Sequence, residues 1–316
     1  MEPIETSGPQ GRNFAPTRRG ILLLGTGGVL ATSFVATGNS PGFAQEKLPG
    51  KGSTRPHLDR SIAALESANG VTIGIAAGRQ GQTAYTYRGG DTFPMCSLFK
   101  TLAVARLLRE HTYDDEFWKR RIRFRDDQIV ENSIICAADE DRDMSVEELA
   151  EAALRFSDNT AGNLLLELIG GPLQIGAYAR TLGAPSTRLD RWEPELNEAL
   201  PGDLRDTSTP SDIHKLYEAL LLGEALGTLG QARLRSWMLR NTTAGKRLGA
   251  AVPPGAELAD KTGAGAYGVV NDAGVVWPDG RPPLTLAVMT KTDDPDAVNN
   301  NAVLARVGQL VFAELL

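Results

Sequence analysis

Cysteine and histidine are scarce in this chain, two of the first and three of the second in 316 residues. Two thiols cannot staple a fold of this length, and a chain this long buries enough apolar surface to need no staples. Cys96 and Cys136 could pair in an oxidising compartment, but sequence does not show whether their Cα atoms come close enough. Cys96 reads as a buried structural thiol, because unpaired cysteine is among the most buried residue types. His57, His111 and His214 are scattered and fall in no H-x-H or H-E-x-x-H frame. That removes the common zinc-hydrolase spacings, so no metal or other cofactor is expected, and the three read as ordinary surface or helix residues. Basic runs interleaved with aromatics are also missing, and the formal net charge is -6. A nucleic-acid partner is therefore not expected. With 41% hydrophobic and 23% charged residues, the composition is that of an ordinary soluble globular protein.

One apolar run stands apart from the rest. Thr17-Arg18-Arg19-Gly20 precedes the glycine-rich apolar residues 21–36, and Gly42-Phe43-Ala44 follows with small residues. Adjacent arginines, an apolar stretch and a small-residue exit read as a twin-arginine export signal over residues 1–44. The competing reading is a membrane anchor, for which the run is slightly short. No cysteine follows closely that could carry a lipid. Without residues 1–44, which hold three arginines and two glutamates, the net charge is -7. The expectation is an acidic, exported monomer, periplasmic or extracellular, with no stable membrane insertion once the signal is removed.

Along the remaining chain, residues 45–56 are rich in Lys, Gly and Pro and read as a flexible lead-in. A helix is predicted over 57–68. Val71-Thr72-Ile73-Gly74-Ile75 and Thr83-Ala84-Tyr85-Thr86-Tyr87 alternate in the manner of strands. Residues 97–241 are helical in pattern. Ser145 with Glu148 forms a capping box ahead of an apolar-periodic run, 159–169 is a helix stopped by Gly170-Gly171-Pro172, and 173–182 and 211–222 are two more. Beyond Leu258 strands return, with Gly274-Val275-Val276-Trp277 and Leu284-Thr285-Leu286-Ala287-Val288-Met289 flanking a Pro278-Asp279-Gly280 turn. A helix over 301–316 ends the chain. The fold class implied is α/β plus all-α: an antiparallel sheet domain from both termini (57–95 and 242–316) with an inserted helical domain (96–241). A catalytic cleft belongs at the seam.

Three short motifs carry chemistry. Ser97-Leu98-Phe99-Lys100 opens what reads as an amphipathic helix and places hydroxyl and ammonium on one face. A serine needs a neighbour to take its proton, and a desolvated lysine can do so, with the helix N-terminus favouring negative charge. Taken alone the tetrad is a weak signal, equally suited to a surface helix start. Ser157-Asp158-Asn159 precedes another helix, where either Ser157 or Asp158 could simply be the N-cap; the functional reading gives Ser157 a proton relay and Asn159 a bond to a substrate amide. Lys261-Thr262-Gly263 lies on a predicted strand. It could be an edge device against aggregation, or a cation and hydroxyl facing a substrate carboxylate beside a glycine that admits the ligand.

In this order the three motifs match the set shared by class A β-lactamases and penicillin-binding proteins, and the sequence resembles that superfamily. Arg191-Trp192-Glu193-Pro194-Glu195-Leu196-Asn197 resembles the Ω-loop of the class A β-lactamases, and Asp190 and Asp206 also match family positions. A loop holding Glu193 and Asn197 can fix a water over an ester, with the carboxylate as general base. Penicillin-binding proteins lack this loop, so it separates hydrolysis of a β-lactam from a peptidoglycan DD-peptidase; against the other alternative, a non-hydrolytic lactam-binding module, every reacting position is filled by a competent residue. The resemblance covers the chain from about residue 60 to its end. It implies Ser97 as nucleophile, Lys100 and Glu193 as bases, Ser157 as relay, and an Arg191–Asp206 clamp on the loop. Asn159, Asn197, Lys261, Thr262, Gly263, Ala264 and Arg247 would bind substrate, with the Ser97 and Ala264 N–H groups as oxyanion hole. Thr242, Thr243 and Arg247 are similar to actinobacterial members of the class. Arg247 would supply a charge that other members take from the strand position held here by Val270, the alternative being an exposed helix-end arginine. The chain departs from the family pattern at Ser133-Ile134-Ile135-Cys136 and at the gate position, Asn132. Gly265 stands where carbapenem-hydrolysing members carry a cysteine paired to the equivalent of Cys96, so that bridge cannot form and nothing favours carbapenem specialisation.

Overall fold

The computed structural model describes residues 55–316, so the proposed export signal and all but the last two residues of the lead-in lie outside it. Helix α1 (Pro56–Asn69) starts on proline, whose fixed φ suits a first turn, and stops at Gly70 in the left-handed region. Strands β1 (Thr72–Arg79) and β2 (Gln82–Tyr87) form a hairpin, followed by the short β3 (Phe93–Pro94). The chain then enters a helical region: α2 (Phe99–His111), α3 (Asp115–Lys119), β4 (Arg121–Arg123), α4 (Ile134–Ala138), β5 (Asp143–Ser145), α5 (Val146–Arg155), α6 (Asn159–Leu168) and α7 (Leu173–Thr181). After a long connection come β6 (Thr207–Ser208), α8 (Pro210–Leu221) and α9 (Gly227–Met238), then β7 (Glu257–Ala264), β8 (Val270–Trp277), β9 (Leu284–Lys291) and α10 (Asn301–Leu315).

The main sheet is antiparallel in the order β2-β1-β9-β8-β7, so strands from the two ends of the described chain meet at β1 and β9, with Ile75 opposite Val288. This is the sheet expected from both termini, with the helices supplied by the chain between. One face buries Ile73, Ile75, Val288 and Leu286 against Leu58 and Ile62 of α1 and Leu304, Val307 and Val311 of α10. The other packs on α8. Local chemistry sets the helix starts. Ser145 accepts from Glu148 N–H at 3.2 Å while Glu148 accepts from Ser145 N–H at 2.6 Å, the reciprocal cap expected for α5. Thr209 caps α8.

Three expectations are corrected. Helix α2 is not amphipathic: Phe99 through Ala105, Leu107 and Leu108 are all buried, because α5, α6, α7 and α9 pack around it. The middle of the chain is not wholly helical, since β4 pairs with β5 and β3 with β6; at two or three residues each, these strands are too short to show a period. His214 is a helix residue of α8 but is buried at 5% exposure, where desolvation lowers its pKa.

Candidate active site

Ser97 sits in a single 3-10 turn, Cys96–Leu98, that runs directly into α2. Cys96 holds φ at +48°, one of several non-glycine residues in the left-handed region around this cleft, with Asn132, Ser157, Ala199, Asp206 and Tyr267. Such conformations cost on the order of 1 kcal/mol or more each and persist where surrounding structure fixes them. Cys96 and Cys136 are buried and unpaired, so the open question of a disulfide is answered in the negative.

Burial brings the charged groups together. Lys100 is fully buried, and its Nζ donates to Ser97 Oγ at 3.0 Å, Ser157 O at 2.8 Å and Asn159 Oδ1 at 2.7 Å. The same ammonium lies 3.0 Å from Glu193 Oε1. Ser97 Oγ donates to that carboxylate oxygen at 3.3 Å. Glu193 is 2% exposed, and Asn197 Nδ2 donates to its other oxygen. Asn197 Oδ1 is buried and accepts from no group among the described residues.

Glu193 is aimed by its backbone. Asn163 Nδ2 donates to Glu193 O at 2.9 Å and Asn163 Oδ1 accepts from Glu193 N at 2.9 Å. Sequence reasoning missed Asn163, although its place one turn beyond Asn159 on α6 is the signal that could have found it. The segment carrying Glu193 is clamped as the resemblance implied. Arg191 Nε donates to Asp206 Oδ2 at 2.6 Å, and Asp206 Oδ1 accepts from the N–H groups of Asp190 at 2.7 Å and Arg191 at 2.9 Å.

The choice of cap for α6 is settled in favour of Asp158, which accepts from Ala161 N–H at 2.9 Å and with its other oxygen from Ile135 and Cys136 N–H. Ser157 is thereby left to the site, and its Oγ accepts from Lys261 Nζ at 2.9 Å. Lys261 is on β7, which is an edge strand, yet its side chain is fully buried and so cannot protect that edge. Burial, with the nearby Lys100 ammonium, holds its pKa well below the ordinary lysine range.

Arg247 is no exposed helix-end residue. It is 9% exposed, donates through Nε to Asn301 Oδ1 at 2.8 Å and through Nη1 to Gly263 O at 2.7 Å and Asn271 O at 2.8 Å. Burial lowers its pKa. Thr262 Oγ1 is hydrogen-bonded to Thr243 Oγ1, which donates onward to Asn241 at 2.7 Å.

Ser97, Ser157, Asn159, Asn197, Arg247, Thr262, Gly263 and Ala264 all line one cavity of 560 Å³, and Lys100, Glu193 and Lys261 are buried behind that lining, bonded to Ser97 or Ser157. The structure thus brings together every residue the sequence nominated. It adds Glu131, Glu198, Ala266 and Asn299 to the rim. Gly265 matters here, since a Cβ would stand 2.8 Å from Asn197 O and 3.0 Å from Cys96 Sγ. Among the described residues no cluster of three or more His, Cys, Asp or Glu is placed to hold a metal ion.

A hydroxyl, a buried ammonium and a buried carboxylate within 3.3 Å can generate a nucleophile and later activate water. The model of the β-lactamase enzyme family matches residues 57–315. The chain belongs to that family. Its relatives include the β-lactamase of Streptomyces lavendulae, 40% identical over 306 residues, which span 95% of this chain and 97% of the relative. β-Lactamase AST-1 of Nocardia asteroides is 41% identical over 264 residues, 83% of this chain and 85% of the relative. The solved β-lactamase of Streptomyces albus G superposes with a TM-score of 0.79 at 41% identity, covering 82% of this chain and all of that one. The likeness to actinobacterial β-lactamases is thereby shown, and with it the two-part fold expected of the family.

Proposed function

We propose that the chain hydrolyses the amide of penicillin- and cephalosporin-type β-lactams through an acyl-enzyme on Ser97, cleared by a water that Glu193 activates. Lys100 Nζ donates to Ser97 Oγ as an ammonium, so it can accept the serine proton only after giving one up, and Glu193 Oε1 is within 3.0 Å to receive it. Removal of the proton by Glu193 directly, in one transfer, and removal through Lys100, in two, then end in the same state, with the proton on Glu193. The oxyanion falls to the N–H groups of Ser97 and Ala264, each such donor being typically worth on the order of 3 kcal/mol of barrier. Ser157, bonded to Lys261 and close to Lys100, passes a proton to the leaving nitrogen. Lys261, Thr262 and the Arg247 guanidinium hold the substrate carboxylate, and Asn159 with Asn197 meets the acyl side-chain amide.

The placement of Glu193 carries this reading. A carboxylate 2% exposed, 3.3 Å from the nucleophile and braced by Asn197, is what deacylation needs. The unpaired Asn197 Oδ1 is a ready second acceptor for a water's hydrogens. Glu193→Ala should acylate and then stall, leaving a stable adduct visible by mass spectrometry, whereas Ser97→Ala should never be labelled. Rapid turnover by the Glu193 variant would overturn the role. We also assign export to the twin-arginine segment, with the folded enzyme acting as a monomer outside the cytoplasm; among the described residues no helix is long and apolar enough to cross a membrane.

A further inference from the structure

A second cavity, 210 Å³ in volume, lies beside the support of Glu193 and shares no lining residue with the catalytic one. Thr160, Asn163, Leu164 and Glu167 of α6 line it, spaced at the three- and four-residue steps that place side chains on one helix face. Gln128, Val130 and Trp192 supply the rest. Its walls are tied together. Thr160 Oγ1 accepts from Val130 N–H at 3.0 Å, and Asn163 uses both amide atoms on the Glu193 backbone. A Cβ on Gly171 would stand 3.8 Å from Trp192 Cζ2, so the indole lies against the turn that ends α6.

The electrostatics here are of one sign. Glu167 is the only charged residue in the lining, and its exposed carboxylate makes no hydrogen bond or ion pair among the described residues. The last turn of α6 carries no basic side chain, so the negative end of its dipole is likewise unanswered. Trp192, 39% exposed, adds a ring whose face attracts cations. Arginines stack on the chain's other three tryptophans, Trp118, Trp237 and Trp277. Among the described residues, none stacks on Trp192.

We propose that this cavity is a binding site for a small organic cation, an aryl ammonium whose charge lies between the Trp192 ring and the Glu167 carboxylate and whose own ring packs on Leu164 and Val130. The ligand supplies at Trp192 the cation that arginine supplies at the other three tryptophans. A cavity of about 150 Å³ takes a benzene molecule, so 210 Å³ admits one ring with a short aminoalkyl arm. The site is open to solvent and binding is weak, with a Kd on the order of 1 mM. Ring and carboxylate together favour an ammonium over a hydroxyl about three- to twentyfold. The occupant touches Asn163 and Trp192 but no residue lining the catalytic cavity. It therefore binds alongside substrate, whatever reaction Ser97 performs.

The test is an NMR titration of the isotope-labelled protein with benzylammonium, followed through the tryptophan indole N–H signals. Trp192→Phe identifies the Trp192 signal by its loss. That signal should shift saturably with benzylammonium, and benzyl alcohol should need a concentration about three- to twentyfold higher for the same shift. Glu167→Gln should weaken benzylammonium about two- to fivefold and leave benzyl alcohol unchanged. Glu167→Lys should weaken it further and admit phenylacetate. For a penicillin, kcat/KM should hold at saturating benzylammonium, because the catalytic cavity stays free. A Trp192 signal that does not move, or that moves equally for amine and alcohol, overturns the site. So does a fall in kcat/KM that tracks the titration, which would put the ring in the catalytic cavity. Absence of penicillin turnover in the untreated protein would sink the hydrolysis reading instead, and the titration would still decide the site.

Discussion

Asp260 and Asp272 lie diagonally on neighbouring strands, two residues out of register and on the same face. Asp272 stands opposite Thr262, and Asp260 opposite Gly274, where a Cβ would come within 2.7 Å of Asp260 Cβ. The missing side chain gives the two carboxyl groups room to approach. Burial raises the pKa of both, to about 6 for Asp272, and the Asp272 charge raises Asp260 further. A carboxyl whose folded pKa exceeds its unfolded value holds a proton the unfolded chain releases, so stability is lost as pH climbs from about 4 through 6. In Asp272→Asn the side-chain oxygen still accepts from Leu248 N–H, and the new amide donates to Asp260. Thermal melts should show the variant more stable than the native protein at pH 7 and less sensitive to pH between 4 and 7. A parallel decline in both would contradict the shared burial of charge. There is a functional cost. Asp272 is one of the charges opposing the downward shift of Lys261, so the alkaline rise in KM for a carboxylate-bearing substrate should begin at lower pH in the variant. Nothing in the sequence pairs two aspartates twelve residues apart; only the β7–β8 register does.

Residues 190–206, the element that carries Glu193, contain little regular structure beyond the short turn Glu195–Asn197. The segment is held at named points: Arg191 on Asp206, Asn163 on both backbone groups of Glu193, and Ala266 N–H on Asn197 O. Asp206 is 1% exposed. Arg191→Ala leaves that carboxylate with backbone donors and no cation, a loss of roughly 2–4 kcal/mol. Glu193 and Asn197 ride on this segment whereas Ser97 and Lys100 do not, so deacylation should slow more than acylation. Stopped-flow traces with a chromogenic cephalosporin should therefore show a burst that the native enzyme lacks, and an equal fall in both phases would mean the clamp acts only on stability. This loop was legible in the sequence through its resemblance to the family's Ω-loop, carried by Arg191, Glu193, Asn197 and Asp206. Helix ends were legible from local chemistry, through Ser145 with Glu148 and Gly170 with Gly171. What stayed hidden depends on what packs against what. Helix α2 reads as amphipathic, yet its neighbours bury Lys100 and Thr101 along with its apolar residues. Asn163 looks like an ordinary helix polar residue until the loop folds over it.

At the scale of the described chain, function depends on contacts between residues far apart in sequence. Ser97 and Lys100 meet Glu193, Ser157 meets Lys261, and Arg247 reaches Asn301. Strand β1 joins β9, so the sheet behind the site needs both ends of residues 56–315. The catalytic and binding groups assigned here all fall between Ser97 and Asn301, and α1 begins its packing at Leu58. None of these groups falls within residues 1–44, whose adjacent arginines are read as an address. Those two properties should separate cleanly. A chain beginning at Lys47 should hydrolyse penicillin with the kcat/KM of the full chain and melt within a few degrees of it. The double variant Arg18→Lys, Arg19→Lys should retain that specific activity in lysates while its activity disappears from the exported fraction. Undiminished export of the double variant would sink the twin-arginine assignment, and loss of activity in the shortened chain would show that the leader does more than direct the protein outward.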